Sequence, residues 1–355
     1  MKKRCDRRRI VGFPPSVRRA ARDEGSFLPS PPNPSLERRR TLVITVLICT
    51  RNPRAEYLAR VLSALRQQDL ALSDWELLVI DNRSDSPLGA SCNVGWHPQG
   101  RILREETPGK SHALLLGLRE AQGEAVVIVD DDNVLAPDYL AGARRIMDQR
   151  PEVAVCGGRV SGEFEGTVPS WVKPYLIYLA INDFRPETTM VSRAKNAWQV
   201  LPAGAGMVIR TGVARAYFDR CKGVRWCLGP GAGGQTLARS EDTDMVYHAL
   251  DQGYAMAHFP ELRVTHLIPK ERLTCRYLAR LRRQGGRSEE IVQCLHGLHR
   301  PQPWRAALRW MVRRALRRLP PRDWRAWWVD LNADIGRICA WRDLARDTSE
   351  PPTTR

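Results

Sequence analysis

The run EAVVIVDDDNVLAPDYL, residues 124–140, sets an apolar stretch directly against three consecutive aspartates. Neighbouring carboxylates repel one another. A carboxylate at the rim of an apolar element also loses hydration unless a cation or a hydrogen-bond donor meets it. A divalent cation answers that need. A solvated acidic turn, leading into a helix with Pro137 in its first turn, answers it as well. The flanking sequence bears on the choice.

Order is expected to begin at TLVITVLICT, residues 41–50, a β-branched run followed by RAEYLARVLSALRQQ, 54–68, whose apolar positions 57, 58, 61, 62 and 65 recur at helical spacing. WELLVID (75–81), GRILRE (100–105), a helix over SHALLLGLREA (111–121), AVVIVD (125–130) and a helix from APDYLAGARRIMDQ follow. Apolar strands alternating with amphipathic helices predict βαβ units, hence an α/β fold with a parallel sheet and helices on both faces. Thr50, Arg51 and Asn52 then follow the first strand, Asp81 and Asn82 end the second, and Asp130, Asp131 and Asp132 end the last of this half. Ligands of open α/β sheets bind outside the carboxyl ends of the strands, so these polar groups are expected around one cleft.

The net charge of +17 is unevenly placed. Residues 1–40 hold 12 Lys and Arg against 4 Asp and Glu, residues 300–346 hold 12 against 4, and the span 41–299 is nearly neutral. The first segment, rich in Arg, Pro and Ser, reads as a disordered basic arm. Nine scattered cysteines show no CxxC pair and no zinc spacing, which fits a reducing compartment. The N-terminus has charge but no apolar core of a secretory signal, and no run reaches the length of a membrane span. The expected location is the cytoplasm.

With VLICTRN, VIDNRSDS (79–86), PGKSHALLLGL (108–118), VIVDDDNVLAPDYL (127–140), PAGAGMVIR (202–210), SEDTDMVYHALDQGYAMAHFPELRVTH (240–266) and RLTCRYLARLRRQGGRS (272–288) in this order, the chain resembles the inverting nucleotide-sugar glycosyltransferases often called family 2. The resemblance implies a GT-A fold, with a Rossmann-like, mostly parallel sheet and flanking helices. It implies transfer from a nucleoside-diphosphate sugar, UDP-linked by preference, to a hydroxyl of a glycan or lipid-linked acceptor. A diphosphate leaving group carries developing charge that a hard divalent ion neutralises, so Mn²⁺ or Mg²⁺ is the expected cofactor. By resemblance Thr50, Arg51, Asn52 and Asp81 line the nucleotide pocket, Asp130 and Asp131 lie at the nucleotide, and Asp132 with Asp130 holds the metal. Lys110 stands near the diphosphate or is simply a solvated residue at a helix start. His266 is a metal neighbour or a satisfied structural histidine. Asp242 matches the base that deprotonates the acceptor, with Glu241 beside it. Ser240, Glu241 and Asp242 also suit a helix cap and first turn, and the cap is expected to hold the carboxylate in place. Asp244 reads as structural. Gly204, Ala205 and Gly206 offer small residues against the donor sugar or acceptor.

GPGAGGQ, 229–235, reads as an acceptor-side loop and lacks the Lys-Ser/Thr of a phosphate-binding P-loop. Where processive relatives carry Gln-x-x-Arg-Trp this chain has QGGRS, with Ser288 in the tryptophan position, which favours single transfers. The chain divides into the arm 1–40, a catalytic domain 41–290, a basic helical segment 291–346 and a tail 347–355. Within WRAALRWMVRRALRRL, 304–319, an apolar stripe runs beside arginines at 305, 309, 313, 314, 317 and 318, and six of the eleven tryptophans lie between 304 and 341. Such a segment seats on an anionic membrane surface, as a peripheral protein at the inner face, or packs on the domain. No nucleic-acid recognition motif accompanies it. Two other readings stand beside the transferase: a metal-dependent nucleotidyltransferase on a similar scaffold, and a basic nucleic-acid or membrane-surface binding protein.

Overall fold

The computed structural model describes residues 44–88, 92–221, 240–316 and 323–347. The arm 1–40, the glycine-rich loop 229–235 and the tail from 348 lie outside the described residues. In chain order the elements are β1 (Ile44–Thr50), α1 (Ala55–Arg66), β2 (Trp75–Asp81), β3 (Gly100–Arg104), α2 (Lys110–Glu120), β4 (Ala125–Val129), β5 (Asn133–Leu135) and α3 (Tyr139–Gln149). There follow β6 (Val153–Phe164), β7 (Met190–Ser192), β8 (Met207–Arg210), α4 (Thr211–Cys221), α5 (Glu241–Asp251), β9 (Ala255–Ile268), α6 (Cys275–Leu295), α7 (Trp304–Leu316) and α8 (Trp324–Asp347).

The strands form one nine-stranded sheet, ordered β3-β2-β1-β4-β8-β6-β9-β5, with β7 added on β9. β1 to β4, β6 and β9 run in one direction, while β8, β5 and β7 oppose them. The fold is therefore the expected α/β sheet, mostly parallel, with a helical segment at its C-terminal side. Period-two alternation sends neighbouring side chains to opposite faces. Val46 and Ile48 join the core on the α1 and α3 side, and Leu47 joins the one on the α2, α4 and α5 side. Burial on both faces is why these strands read as continuous apolar runs.

One short element escaped the periodicity. Asn133–Leu135 forms β5, antiparallel to β9, with Asn133 opposite His266. The helix expected from residue 136 accordingly begins at Tyr139, and Pro137 lies in the approach rather than in the first turn. Three residues are too few to show alternation, so β5 exists only because β9 is there to pair with it.

The boundary expected at 290/291 falls inside α6, and α8 packs along that helix. Contact is close enough that a Cβ on Gly286 would lie 2.5 Å from the Ala333 carbonyl, and one on Gly336 2.1 Å from that of Arg283. Trp341 Nε1 donates to Glu290 at 2.8 Å in a buried contact, and Arg287 pairs with Asp343 at 2.9 Å. Ser288 is buried. α7 packs through Ala307 and through Arg314, which meets Asp334 at 3.1 Å. Leu308, Val312 and Leu316 of its expected apolar stripe are 42%, 46% and 59% exposed. Among the described residues no helix is long and apolar enough to cross a membrane.

Candidate active site

Register builds the first half of the site. Thr50 lies opposite Asp81 across β1 and β2, and Asp81 lies opposite Arg104 across β2 and β3, so three polar residues stand in a row at the carboxyl ends of adjacent parallel strands. Asp81 is buried; its Oδ1 accepts from the Ser84 amide at 2.8 Å and its Oδ2 pairs with Arg104 at 2.6 Å. Burial alone would raise this carboxyl, but the Ser84 hydrogen bonds and the Arg104 guanidinium outweigh it and hold the group below its usual range. Asn52, at φ 49°, ties the loop after β1 to the loop after β2: its amide donates to Ser84 Oγ and its side chain exchanges hydrogen bonds with Asp85, each at 2.9 Å. Arg51 is exposed and has no side-chain partner among the described residues.

The three aspartates part ways. Asp131 accepts from the Thr50 hydroxyl. Burial raises its carboxyl, with Asp132 and Asp130 adding to that against the Thr50 hydrogen bond. Asp130 pairs with Lys110 at 2.7 Å. Asn82 sets up this pair by donating to the Thr107 carbonyl at 2.8 Å and accepting from the Gly109 amide at 2.7 Å, which pins the turn that opens α2 at Lys110. Lys110 is therefore an ion-pair partner in the cleft and not merely a solvated helix start. Asp132 is buried and meets Arg272 at 2.9 Å and His266 Nε2 at 3.3 Å. The need for a cation inferred from the aspartate run is met inside the protein by Lys110 and Arg272. Neither partner is near the run in sequence, so neither was visible from it.

His266 is brought to Asp132 by the β5–β9 pairing. Its Nδ1 lies 2.9 Å from the Leu179 carbonyl, which can only accept, so Nδ1 carries a proton and orients the ring. Among the described residues no group of three or more His, Cys, Asp or Glu is placed to enclose a metal. Asp132 and His266 nevertheless point at one another, the histidine braced by a carbonyl in the manner of metal-ligating imidazoles. Magnesium-type ions are commonly held by one or two protein ligands, with substrate phosphates supplying the rest. The residues fit that kind of site.

The second half lies where α5 meets α2 and the turn before β8. Ser111, in the first turn of α2, donates to Glu241 at 3.2 Å. Asp242 accepts from the Gly204 amide at 3.1 Å and from the Thr243 amide at 2.8 Å. A Cβ on Gly204 would lie 3.2 Å from Asp242 Oδ2, so the close approach calls for glycine. Gly206 has φ +73°, and its carbonyl accepts from Tyr139. Burial pushes the Asp242 carboxyl above its ordinary value against the Thr243 and Gly204 amides and Lys110, with Asp130 adding to the rise. Burial likewise raises Glu241, and Asp242 beside it adds to the effect. Lys110, Asp130, Glu241 and Asp242 thus share one electrostatic environment. Ala205 is buried in the core.

Ser240 occupies the N-cap of α5 without a side-chain capping bond. The expected cap therefore does not fix Asp242; the Gly204 amide does, because the turn before β8 runs directly beside the helix start. Asp244 is fully buried among Tyr217, Arg220 and His296, a structural place as expected. Cys49 lies near Lys110 and Asp130, yet burial pushes its thiol up to about 12, which leaves it inert as a nucleophile. Sequence reading passed over Ser84, Arg104, Ser111 and Arg272. All four sit within or beside the segments already singled out, but an arginine or serine at a strand end or helix start carries no signal of its partner.

Residues 45–218 match the family model described as "Glycosyl transferase family 2". No curated protein matches the chain in sequence. Among solved structures, TarS 1–349 of S. aureus is similar at 14% identity, covering 86% of this chain and 92% of that one with a TM-score of 0.46. The mannosyltransferase PcManGT of Pyrobaculum calidifontis, solved with GDP-Man and Mn²⁺, is similar at 19% identity, covering 88% and 78% with a TM-score of 0.49.

Proposed function

We propose that the chain is a glycosyltransferase of the family whose model residues 45–218 match, and that it transfers a sugar with inversion from a nucleoside-diphosphate donor, UDP-linked by preference, to a hydroxyl of a glycan or lipid-linked acceptor. That match argues against the nucleotidyltransferase and pure binding-protein readings. The observation that carries the mechanism is the Asp242 carboxylate. It is held by the Gly204 and Thr243 amides, raised by burial, and shares a cleft with the Lys110–Asp130 pair.

Asp81, Thr50, Asn52 and Arg104 stand where a nucleoside would lie across the strand ends. Lys110 faces the diphosphate and is free to exchange Asp130 for a phosphate oxygen. Asp132 and His266, with Asp130 nearby, would hold Mn²⁺ or Mg²⁺, which when bound neutralises charge on the departing diphosphate. The acceptor hydroxyl approaches from the Gly204–Gly206 side, Glu241 orients it, and Asp242 takes its proton as the oxygen attacks the anomeric carbon opposite the leaving group. An elevated carboxylate pKa suits this role, since a base works best when its affinity for protons approaches the operating pH. Ser288, buried in α6, fits single transfers rather than a polymer channel. The exposed stripe of α7 with its arginines fits a seat on an anionic membrane.

Incubation with UDP-sugars and an acceptor panel, with the product anomer read by NMR, tests the proposal. An inverted anomer is expected, and Asp242→Asn should slow transfer by about 10²- to 10⁴-fold at unchanged nucleotide affinity. Retention, or near-normal transfer by the variant, overturns the mechanism.

A further inference from the structure

A groove of about 530 Å³ runs between α6 and α8, apart from the acidic cleft. Arg276, Arg280 and Arg283 line one wall at successive turns of α6, and Trp324 and Trp328 line the other, one turn apart on α8. Among the described residues none of the three arginines has an ion pair, although Arg287 one turn further on is bound to Asp343. Trp324 and Trp328 are 61% and 42% exposed. Arg280 lies over the Tyr277 ring at 5.7 Å, and none of the three has a carboxylate partner among the described residues, so cations and exposed aromatic rings line the same groove and offer a surface for an anionic ligand with flat rings.

Spacing narrows the ligand. At the helical rise, Arg276 to Arg283 spread their charge over about 10 Å, and the two indoles step by about 6 Å. A single phosphate head group calls for a compact cluster of donors. A linear row of cations opposite a stepped pair of flat rings instead matches an extended polymer that repeats both a charge and a ring. Arg276 follows Arg272, the partner of Asp132, by four residues, so a short stretch of chain links the groove to the cleft.

We infer that the groove holds an acidic glycan, the acceptor chain of the transfer, with carboxylate or phosphate groups on Arg276, Arg280 and Arg283 and sugar rings on Trp324 and Trp328. The inference rests on the proposed transfer to a glycan. Single-stranded nucleic acid offers related chemistry, an anionic repeat with stacking rings. The adjoining glycosyltransferase domain favours the glycan.

The full-length protein is titrated at low salt with oligogalacturonate, maltohexaose, an oligo-dT and phosphatidylglycerol vesicles, and UDP binding is measured on the same preparations. Oligogalacturonate should bind more tightly than neutral maltohexaose, and the triple variant Arg276→Gln, Arg280→Gln, Arg283→Gln should lose about tenfold, each exposed charge contact contributing a few-fold. Trp324→Ala with Trp328→Ala should weaken oligogalacturonate binding at an unchanged unfolding midpoint. Equal binding of oligogalacturonate by the wild type and both variants overturns the inference. So does a wild type whose groove variants lose only oligo-dT or vesicle binding. UDP binding decides the transferase reading separately: its absence in the wild type sinks that reading, while glycan binding alone judges the groove.

Discussion

Arg272 donates from Nη1 to Oδ2 of Asp132 at 2.9 Å and lies 3.1 Å from Nε2 of His266. The carboxylate assigned to the metal in the proposed function therefore has a cation of its own, and a divalent ion bound there would compete with that guanidinium. Burial would raise Asp132, but His266 and Arg272 hold its carboxyl below the usual range, so it is ionised and ready for either partner.

Arg272→Gln should lower the unfolding midpoint in EDTA, because it strips a buried carboxylate of its charge partner at about 1–3 kcal/mol. Mn²⁺ should restore much of the loss by taking the vacated place. Asp132→Asn should remove the dependence of UDP binding on divalent ions. Thermal unfolding and calorimetry with and without EDTA check both, and identical melting of Arg272→Gln in EDTA and Mn²⁺ would exclude a metal at Asp132.

The raised carboxyl of Asp242 sets a pH dependence. Transfer should fall toward acid through a pKa above 3.8, the ordinary value, as the base is protonated. Because the native state binds this proton more tightly than the unfolded chain, the group costs stability in full above its folded pKa, and the cost disappears as pH falls below 3.8. Asp242→Asn should therefore melt higher than the wild type at pH 8 and lose that advantage near pH 4. A variant that melts lower at pH 8 would mean that the carboxylate stabilises the fold.

Asp244 behaves oppositely. Burial would raise it, yet hydrogen bonds from His296 and Tyr217 and the Arg220 charge hold it below 3.8. Its stabilisation is present above 3.8 and is lost as pH falls through the lower folded value. Asp244→Asn should cost about 3–5 kcal/mol at pH 7, the usual penalty for breaking a buried charged network. The difference from wild type should shrink in acid, which urea unfolding at pH 7 and pH 3 reads directly.

On α7, Leu308→Ser with Val312→Ser should leave stability within about 0.5 kcal/mol, since both side chains are already exposed. Binding to anionic vesicles should fall about tenfold, the two side chains no longer entering the interface. A large drop in melting temperature would mean that the stripe is covered by protein.

The apolar runs at 44–50, 75–81 and 125–129 were legible because strands buried on both faces need continuous apolar residues, and the polar residues that end them had to lie at the sheet's carboxyl edge. Sequence alone thus placed Thr50, Asp81 and the aspartates around one cleft and marked Asp242 as the second acidic centre. It could not pair them. Lys110 with Asp130, Arg272 with Asp132, Arg104 with Asp81 and the Gly204 amide with Asp242 join distant segments, and each contact depends on sheet order and register. Periodicity reports which face of an element is buried and says nothing about which element lies beside it. The three-residue β5 shows the limit: only its pairing with β9 brings His266 to Asp132, and only the folded sheet contains that pairing.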